Sequence, residues 1–379
     1  ESESVYGQPK RRKDGDGRVI ETERLKKGER YARRDFVLTE KASPSLVEFW
    51  HESVLAHQID SRDFLEKNRL PFEFRSYEVD HSIYGATSYA VLTPAGWVAY
   101  TGDLRIHGRY REKTERFVRE VKALNPALLI IEGTRTSRDE EEANHTEEEV
   151  KQTCLRAVDE EKHMVVADFS ARNFERLDTF LEIASHTGRR LVVTKKDAYY
   201  LRAIGSVDGI DRLKGVEVFD SLKVKETGAE EAACDALGTD LLDPADVAKA
   251  PEQYILCFSF NDVGNLLDIR WKGGTYVYSS SEAYSEEQVI DFRRLVGWLG
   301  LFELKIKGFQ MVGEPGKEEP IPDRRYHASG HASTEDLIRI VNEIEPDRLL
   351  PVHTEETRPF KSIGSSEFLE AVPGRRFAF

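Results

Sequence analysis

From His163 onward the chain repeats one rhythm: a short apolar run, a helix-length amphipathic stretch, then another apolar run. HMVVADF is followed by NFERLDTFLEIASHTG and RRLVVT, and further on come YILCFSF and GGTYVYSS. Apolar runs this short suit strands buried on both faces, and strand–helix–strand order lays them side by side in a largely parallel sheet. The middle of the chain is thereby confined to an α/β unit. Before it, FEFRSYEV alternates apolar and polar residues, and SYAVLTP and GWVAYTGD, split by Pro94-Ala95-Gly96, predict a hairpin. REKTERFVREVKAL predicts a charged amphipathic helix stopped at Asn125-Pro126, and ALLIIEG a buried strand ending on Glu132. After the α/β unit, the turn-rich GEPGKEEPIPDRR leads into YHASGHAS, a helix TEDLIRIVNEI closed by Pro346, and a strand RLLPVH ending on His353.

Other segments carry weaker signals. SPSLVEFWHESVLAHQID reads as a helix capped near Ser43 or Ser45, and the acidic run at 139–149 opens another. The run Lys10-Arg11-Arg12-Lys13 reads as a solvated loop, with nucleic-acid contact as the rival reading. Residues 206–250 read as a surface excursion, and no internal repeat is evident.

A length of 379 residues suits two or three domains. No apolar run approaches the roughly 18 residues of a membrane span, and the first residues contain no apolar signal region. The three cysteines, Cys154, Cys234 and Cys257, form no CxxC pair, which argues against a cysteine zinc site or a disulfide framework and fits a reducing, cytoplasmic setting. With 55 basic against 69 acidic residues the net charge is −14, so any nucleic-acid contact must come from a local basic groove or a metal.

Several ionisable residues sit where an apolar strand ends or a small-residue turn begins: His81 in VDHSIYGA, Asp103 in AYTGD, Glu132 in LLIIEGT and His353 in LLPVHTE. Strand ends are where α/β sites assemble. His327-Ala-Ser-Gly-His331 adds two histidines just before a helix. His and Asp are zinc ligands of the hydrolytic type, and an aspartate can bridge two ions. On chemistry alone, Asp103 could bridge, His81 and His353 could each hold a metal, and Glu132 could orient a histidine. Each has a plainer rival: surface or core-edge histidines, and acids that cap a turn or a helix.

In that order and wording the segments resemble the metallo-β-lactamase superfamily, specifically the RNase J-like enzymes of its β-CASP branch of nucleic-acid nucleases. DHSIYGA resembles the third metal motif and YTGD the fourth, with Asp103 as the bridging aspartate. IIEGT resembles β-CASP motif A, SGHAS motif B and PVHTE motif C. The likeness covers residues from about 75 to 360. It implies an α/β fold, an αββα sandwich with an inserted β-CASP cap. Residues 1–136 and 326–379 would form the metallo-β-lactamase domain and 137–325 the cap. It implies a zinc-dependent ribonuclease, acting on single-stranded RNA as a 5′→3′ exonuclease, an endonuclease or both. Two Zn²⁺ ions are expected, with Mn²⁺ or Mg²⁺ able to substitute. Asp103 would bridge them, His81 and His353 would hold one each, and His331 would serve as general acid or charge stabiliser beside the scissile phosphate. His327 and Ser329, with Ser170 and Asn173 from DFSARNFER, would hold substrate phosphate. The rival for Asp168 and Asn173 is capping of the helix that follows. Arg105, Arg109, Arg172 and Arg176 are candidates to line the RNA cleft, with ion pairing as their rival. A homodimer is a further implied partner.

One departure stands out. The HxHxDH motif that supplies most of the family's metal ligands is absent, and His51 and His57 lack its spacing. Three explanations are open: an upstream segment of roughly a hundred residues, a separate chain, or a degenerate relative. The first two are favoured because the downstream motifs are intact. Two other functions remain in view: a small-phosphodiester hydrolase on the same scaffold, and a non-catalytic RNA-binding or scaffold subunit.

Overall fold

In the computed structural model the described residues are 72–136, 145–170, 172–222, 241–283, 285–361, 363–364 and 366–372, together with the backbone of four short strands before residue 67. Residues Glu1–Leu70 with Ala203–Ile210 form one compact unit, and Pro71–Arg202 with Asp211–Phe379 another. In the first, β1 (Pro9–Lys13) pairs antiparallel with β2 (Val19–Arg24), and β3 (Phe36–Leu38) pairs parallel with β4 (Phe64–Glu66). The Lys10–Lys13 run is therefore a strand rather than the expected loop, because VIETER supplies it with a ladder partner. The helix expected over 43–60 lies outside the described residues.

The second unit holds two six-stranded sheets. The first is mixed: β5 (Phe74–Glu78), β6 (Thr87–Thr93), β7 (Gly96–Tyr100), β8 (Leu128–Glu132), β17 (Arg348–Val352) and β18 (Glu367–Phe368). Its order is β18-β17-β8-β7-β6-β5, antiparallel from β5 to β7 and parallel from β7 to β18. Helix α1 (Arg111–Lys122) buries Thr114, Phe117, Val118 and Val121, a stripe at the three- and four-residue spacing of one helix face. Helix α6 (Thr334–Ile344), capped by the Ser333 hydroxyl on the Asp336 amide, buries Leu337, Ile340, Val341 and Ile344 in the same way. Both stripes close on Ala90, Ala99, Leu129, Ile131 and Leu349 of the sheet.

The second sheet is parallel throughout: β9 (Met164–Asp168), β10 (Arg190–Val193), β11 (Val216–Val218), β12 (Tyr254–Cys257), β13 (Gly274–Tyr278) and β14 (Leu304–Lys307), in the order β11-β10-β12-β9-β13-β14. Every residue of β9 is buried, as its unbroken apolar run requires. Helices α2 (Glu147–Asp159), α3 (Phe174–Thr187), α4 (Lys195–Asp208) and α5 (Glu286–Leu301) connect or flank these strands. A small antiparallel pair, β15 (Phe309–Val312) with β16 (Glu319–Pro322), precedes the YHASGHAS segment.

A buried ionic cluster ties these parts together. Arg105 is wholly buried, and its guanidinium reaches Asp80 at 3.0 Å, Glu147 of α2 at 3.0 Å and Glu175 of α3 at 2.9 Å. Arg176, also wholly buried, holds the other oxygen of Glu147 at 2.8 Å and the carbonyls of Ser279 and Tyr326 at 3.0 and 3.1 Å. A Cβ on Gly108 would lie 2.5 Å from Arg105 Nε and from both Asp80 carboxylate oxygens, so glycine is what lets this pair close. These contacts correct the expectation that Arg105 and Arg176 line an RNA cleft: their charges are spent inside the fold. Arg109 is also committed, to Glu182 at 2.9 Å and the Thr179 hydroxyl at 3.1 Å. Arg172 is exposed.

Two guanidinium groups face three carboxylates, which leaves one negative charge in excess. Burial pushes Glu147 up, but Arg176 and then Arg105 outweigh it and hold the group at about 2. For Glu175 burial wins over Arg105 and raises it to about 7, and burial raises Asp80 as well. A buried guanidinium whose removal strands three acids is costly to lose. Arg105→Met is expected to lower unfolding free energy by about 3–5 kcal/mol, read by urea denaturation; a loss under 1 kcal/mol would contradict the assigned role. Because Glu175 binds its proton more tightly folded than unfolded, its contribution to stability falls as pH rises from about 4.5 to about 7. Glu175→Gln should flatten the stability–pH curve over that interval, and an unchanged slope would count against the raised carboxyl.

Candidate metal centre

The site residues come from both ends of the mixed sheet's chain segments. His81 follows β5, Asp103 follows β7, Glu132 is the last residue of β8, and His353 follows β17. Parallel pairing places Val352 beside Glu132, so the residues after β8 and β17 leave the sheet at the same end of the strands. His331 arrives from the loop before α6, and that loop is anchored where Ala332 N donates to the Leu104 carbonyl at 2.7 Å.

One ligand-type atom each from His81, Asp103 and His331 lies within 4.8 Å of the others. Each histidine is fixed through its Nδ1. His81 Nδ1 lies 2.5 Å from the Gly330 carbonyl, and His331 Nδ1 lies 3.0 Å from Glu132 Oε2. A ring that donates from Nδ1 keeps its Nε2 lone pair, which is the form a metal takes. Glu132 is itself buried and steadied: Leu104 N donates to its Oε1 at 2.9 Å. A side chain at Gly330 would force Ser82 and the His81 ring to move, because a Cβ would stand 2.5 Å from Ser82 Oγ and 2.8 Å from His81 Cε1. Burial lowers the His81 pKa, partly countered by the Gly330 carbonyl, and so favours the neutral ring.

His353 stands at the rim. Its Nδ1 is 3.1 Å from Asp103 Oδ1 and 3.2 Å from Thr134 Oγ1, and its ring centroid is 5.9 Å from that of His331. Its φ of 52° is unusual for a histidine and turns the chain sharply as it leaves β17. Geometry thus groups His331, rather than His353, with His81 and Asp103, and leaves His353 attached to the group through Asp103. Two imidazoles and a carboxylate suit one Zn²⁺-type ion with a position left open. The described residues do not provide donors enough for two.

The residues expected to hold phosphate fare differently. Ser329 Oγ accepts from His331 N at 3.1 Å, while its carbonyl accepts from Arg105 NH1 at 3.1 Å and His107 Nε2 at 2.9 Å. Ser329 therefore positions the His331 loop. Burial, then Arg176, lowers His327 to about 3, so its ring is uncharged at neutral pH. Asn173 caps α3, its side chain accepting from Arg176 N at 3.1 Å, as the rival reading for this residue expects. Ser170 is exposed, and its hydroxyl accepts from Arg172 N at 3.4 Å.

Sequence reasoning missed Asp80, His107, Glu147 and Glu175. Asp80 adjoins His81 in a segment already singled out, and adjacency was the only signal. His107 is buried, lowered to about 4 by burial and then Arg105, and joins Arg105 in holding the Ser329 carbonyl.

Residues 324–362 match the model of the Zn-dependent metallo-hydrolase RNA specificity domain, RMMBL. Among curated proteins, the chain is 23% identical over 296 residues to Ribonuclease J of Pyrococcus abyssi (strain GE5 / Orsay), covering 73% of this chain and 58% of that protein. It is 22% identical over 309 residues to Ribonuclease J of Mycoplasma genitalium, covering 77% and 48%, and 21% identical over 305 residues to Ribonuclease J2 of Bacillus subtilis (strain 168), covering 78% and 50%. The chain thus spans about half the length of the curated relatives it matches. Among solved structures, a protein of unknown function from Enterococcus faecalis V583 shares the fold, with a TM-score of 0.60 and 23% identity over 83% of this chain and 67% of that one.

If Glu132 fixes the His331 ring, Glu132→Gln should weaken Zn²⁺ binding by about 10–100-fold while leaving the melting temperature of the metal-free protein within a few degrees. Zinc titration of the two proteins checks this, and equal affinities would remove Glu132 from the site.

Proposed function

We propose that the chain is a metal-dependent ribonuclease acting on single-stranded RNA, of the RNase J-like, β-CASP branch of the metallo-β-lactamase family, a reading supported by the RMMBL match over residues 324–362 and by the likeness to Ribonuclease J. The observation that carries the reading is the meeting of His81, Asp103 and His331, with both rings pinned at Nδ1.

In this reading His81, Asp103 and His331 hold a divalent ion, Zn²⁺ by donor type, with Mn²⁺ or Mg²⁺ as substitutes. Such an ion, when bound, activates water and polarises a phosphodiester. The protein's own groups do the rest. Glu132 takes the Nδ1 proton of His331 in a hydrogen bond and aims the ring. The Gly330 carbonyl does the same for His81. His353, held against Asp103 and more than half exposed, is placed to deliver a proton or to neutralise charge on a departing oxygen. A two-ion centre bridged by Asp103, with His353 as a ligand, needs further donors, and these would come from an upstream segment or a separate chain. The proposed division assigns 1–136 and 326–379 to the metallo-β-lactamase domain and 137–325 to the cap, with RNA lying between them.

The RMMBL match covers the segment carrying His327, Ser329, His331 and His353 and supports RNA as the polymer. In the complete, metal-loaded protein, Asp103→Ala and His331→Ala should each lower the rate of cleavage of a 5′-labelled single-stranded RNA by at least about a hundredfold with unchanged folding by circular dichroism. Cleavage at an ordinary rate by either variant would overturn the proposal.

A further inference from the structure

The loop carrying His331 is fastened to the segment that follows Asp103. Ala332 N donates to the Leu104 carbonyl at 2.7 Å. Arg105 NH1 and His107 Nε2 both donate to the Ser329 carbonyl, at 3.1 and 2.9 Å. Each segment carries one ligand-type residue, so these contacts set how far Asp103 stands from His331. The Leu104–Ala332 contact lies one residue beyond each of the two, and alone it would leave the loop free to pivot. The two donors to Ser329 hold the loop on the other side of His331.

Those two donors differ in what else they do. The Arg105 guanidinium is shared with Asp80, Glu147 and Glu175, so its loss would disturb the buried cluster before it reached the histidines. The His107 side chain makes one hydrogen bond among the described residues, the one to Ser329. A carbonyl can only accept, so Nε2 carries the ring's proton and Nδ1 is left as an acceptor. That Nδ1 is sealed from solvent and has no partner among the described residues. Burial, then the Arg105 charge, holds the group at about 4, which keeps the ring neutral at physiological pH.

For the fold alone this is a poor use of an imidazole. An unpaired buried acceptor costs at least as much as one neutral hydrogen bond returns, and an apolar side chain of like size avoids the cost. The Ser329 carbonyl would still accept from Arg105 if the ring were removed. What the ring supplies is direction: a rigid donor, held in one tautomer, that fixes the carbonyl two residues before His331. The geometry points to His107 as a positioning residue for the metal centre, which through Ser329 holds His331 at coordinating distance from Asp103. This inference rests on the reading of His81, Asp103 and His331 as metal ligands. Outer contacts of this kind govern metal affinity because they set where the ligands stand before the ion arrives.

The test is titration of the full chain with Zn²⁺ against a competing chelator, paired with thermal melting of the metal-free protein. His107→Leu should bind Zn²⁺ about tenfold more weakly and melt no lower than the wild type. His107→Gln, whose amide nitrogen can donate from the place of Nε2, should recover most of the affinity. His107→Asn, one methylene shorter, should not. Should the leucine variant fail to fold, the glutamine and asparagine variants carry the test, with the asparagine variant the weaker binder. Equal zinc affinity in the wild type and His107→Leu, or in the glutamine and asparagine variants, would overturn the proposal. Zinc binding that His331→Ala leaves unchanged would overturn the metal centre itself, and this role of His107 with it.

Discussion

The Arg105 guanidinium is the contact on which the rest of the described architecture depends. Through it Asp80 beside the mixed sheet, Glu147 opening α2 and Glu175 opening α3 become one buried cluster, and the same group holds the Ser329 carbonyl. Both acids lie in the first turn of their helices, where the exposed amide dipoles favour negative charge. A buried ion cluster of this kind adds little net stability compared with an apolar substitute, but it is intolerant of misplacement. It fixes how the helices of the parallel sheet and the loop carrying His331 stand relative to the mixed sheet.

The metal centre inherits that precision. His331 is held from three sides: its ring by Glu132, its amide by Ser329 Oγ, and the next residue by the Leu104 carbonyl. Ser329 is held in turn by Arg105 and His107. The buried cluster and the histidine cluster therefore share one short loop, and Gly330 in its middle is what allows His81 to approach. A site preorganised through a supporting layer of this kind needs little rearrangement to take a ligand.

Much of this was legible in the sequence. The alternation of Phe74–Glu78, the Pro94-Ala95-Gly96 turn and the apolar run at 128–132 gave the mixed sheet's strands, and the strand–helix rhythm after His163 gave the parallel sheet. His81, Asp103, Glu132, His331 and His353 stood out because strand ends and glycine-rich turns place side chains predictably. What did not show was partnership. Arg105 and Arg176 read as exposed cations beside a cleft, since nothing local reveals that acids from 25 to 70 residues away close around Arg105. Asn173 carried two local readings, and the structure shows the cap, with Arg176 N donating to its side chain. His331 read as an acid and His353 as a ligand; only distances, which periodicity does not encode, group His331 with His81.

Anomalous diffraction at the zinc edge, from crystals of the complete protein grown with Zn²⁺, tests the central claim most directly. The expected peak lies about 2.0–2.2 Å from His81 Nε2, an Asp103 oxygen and His331 Nε2, with both Nδ1 contacts retained. A peak bound elsewhere, or full occupancy with either ring turned away from the ion, would contradict it.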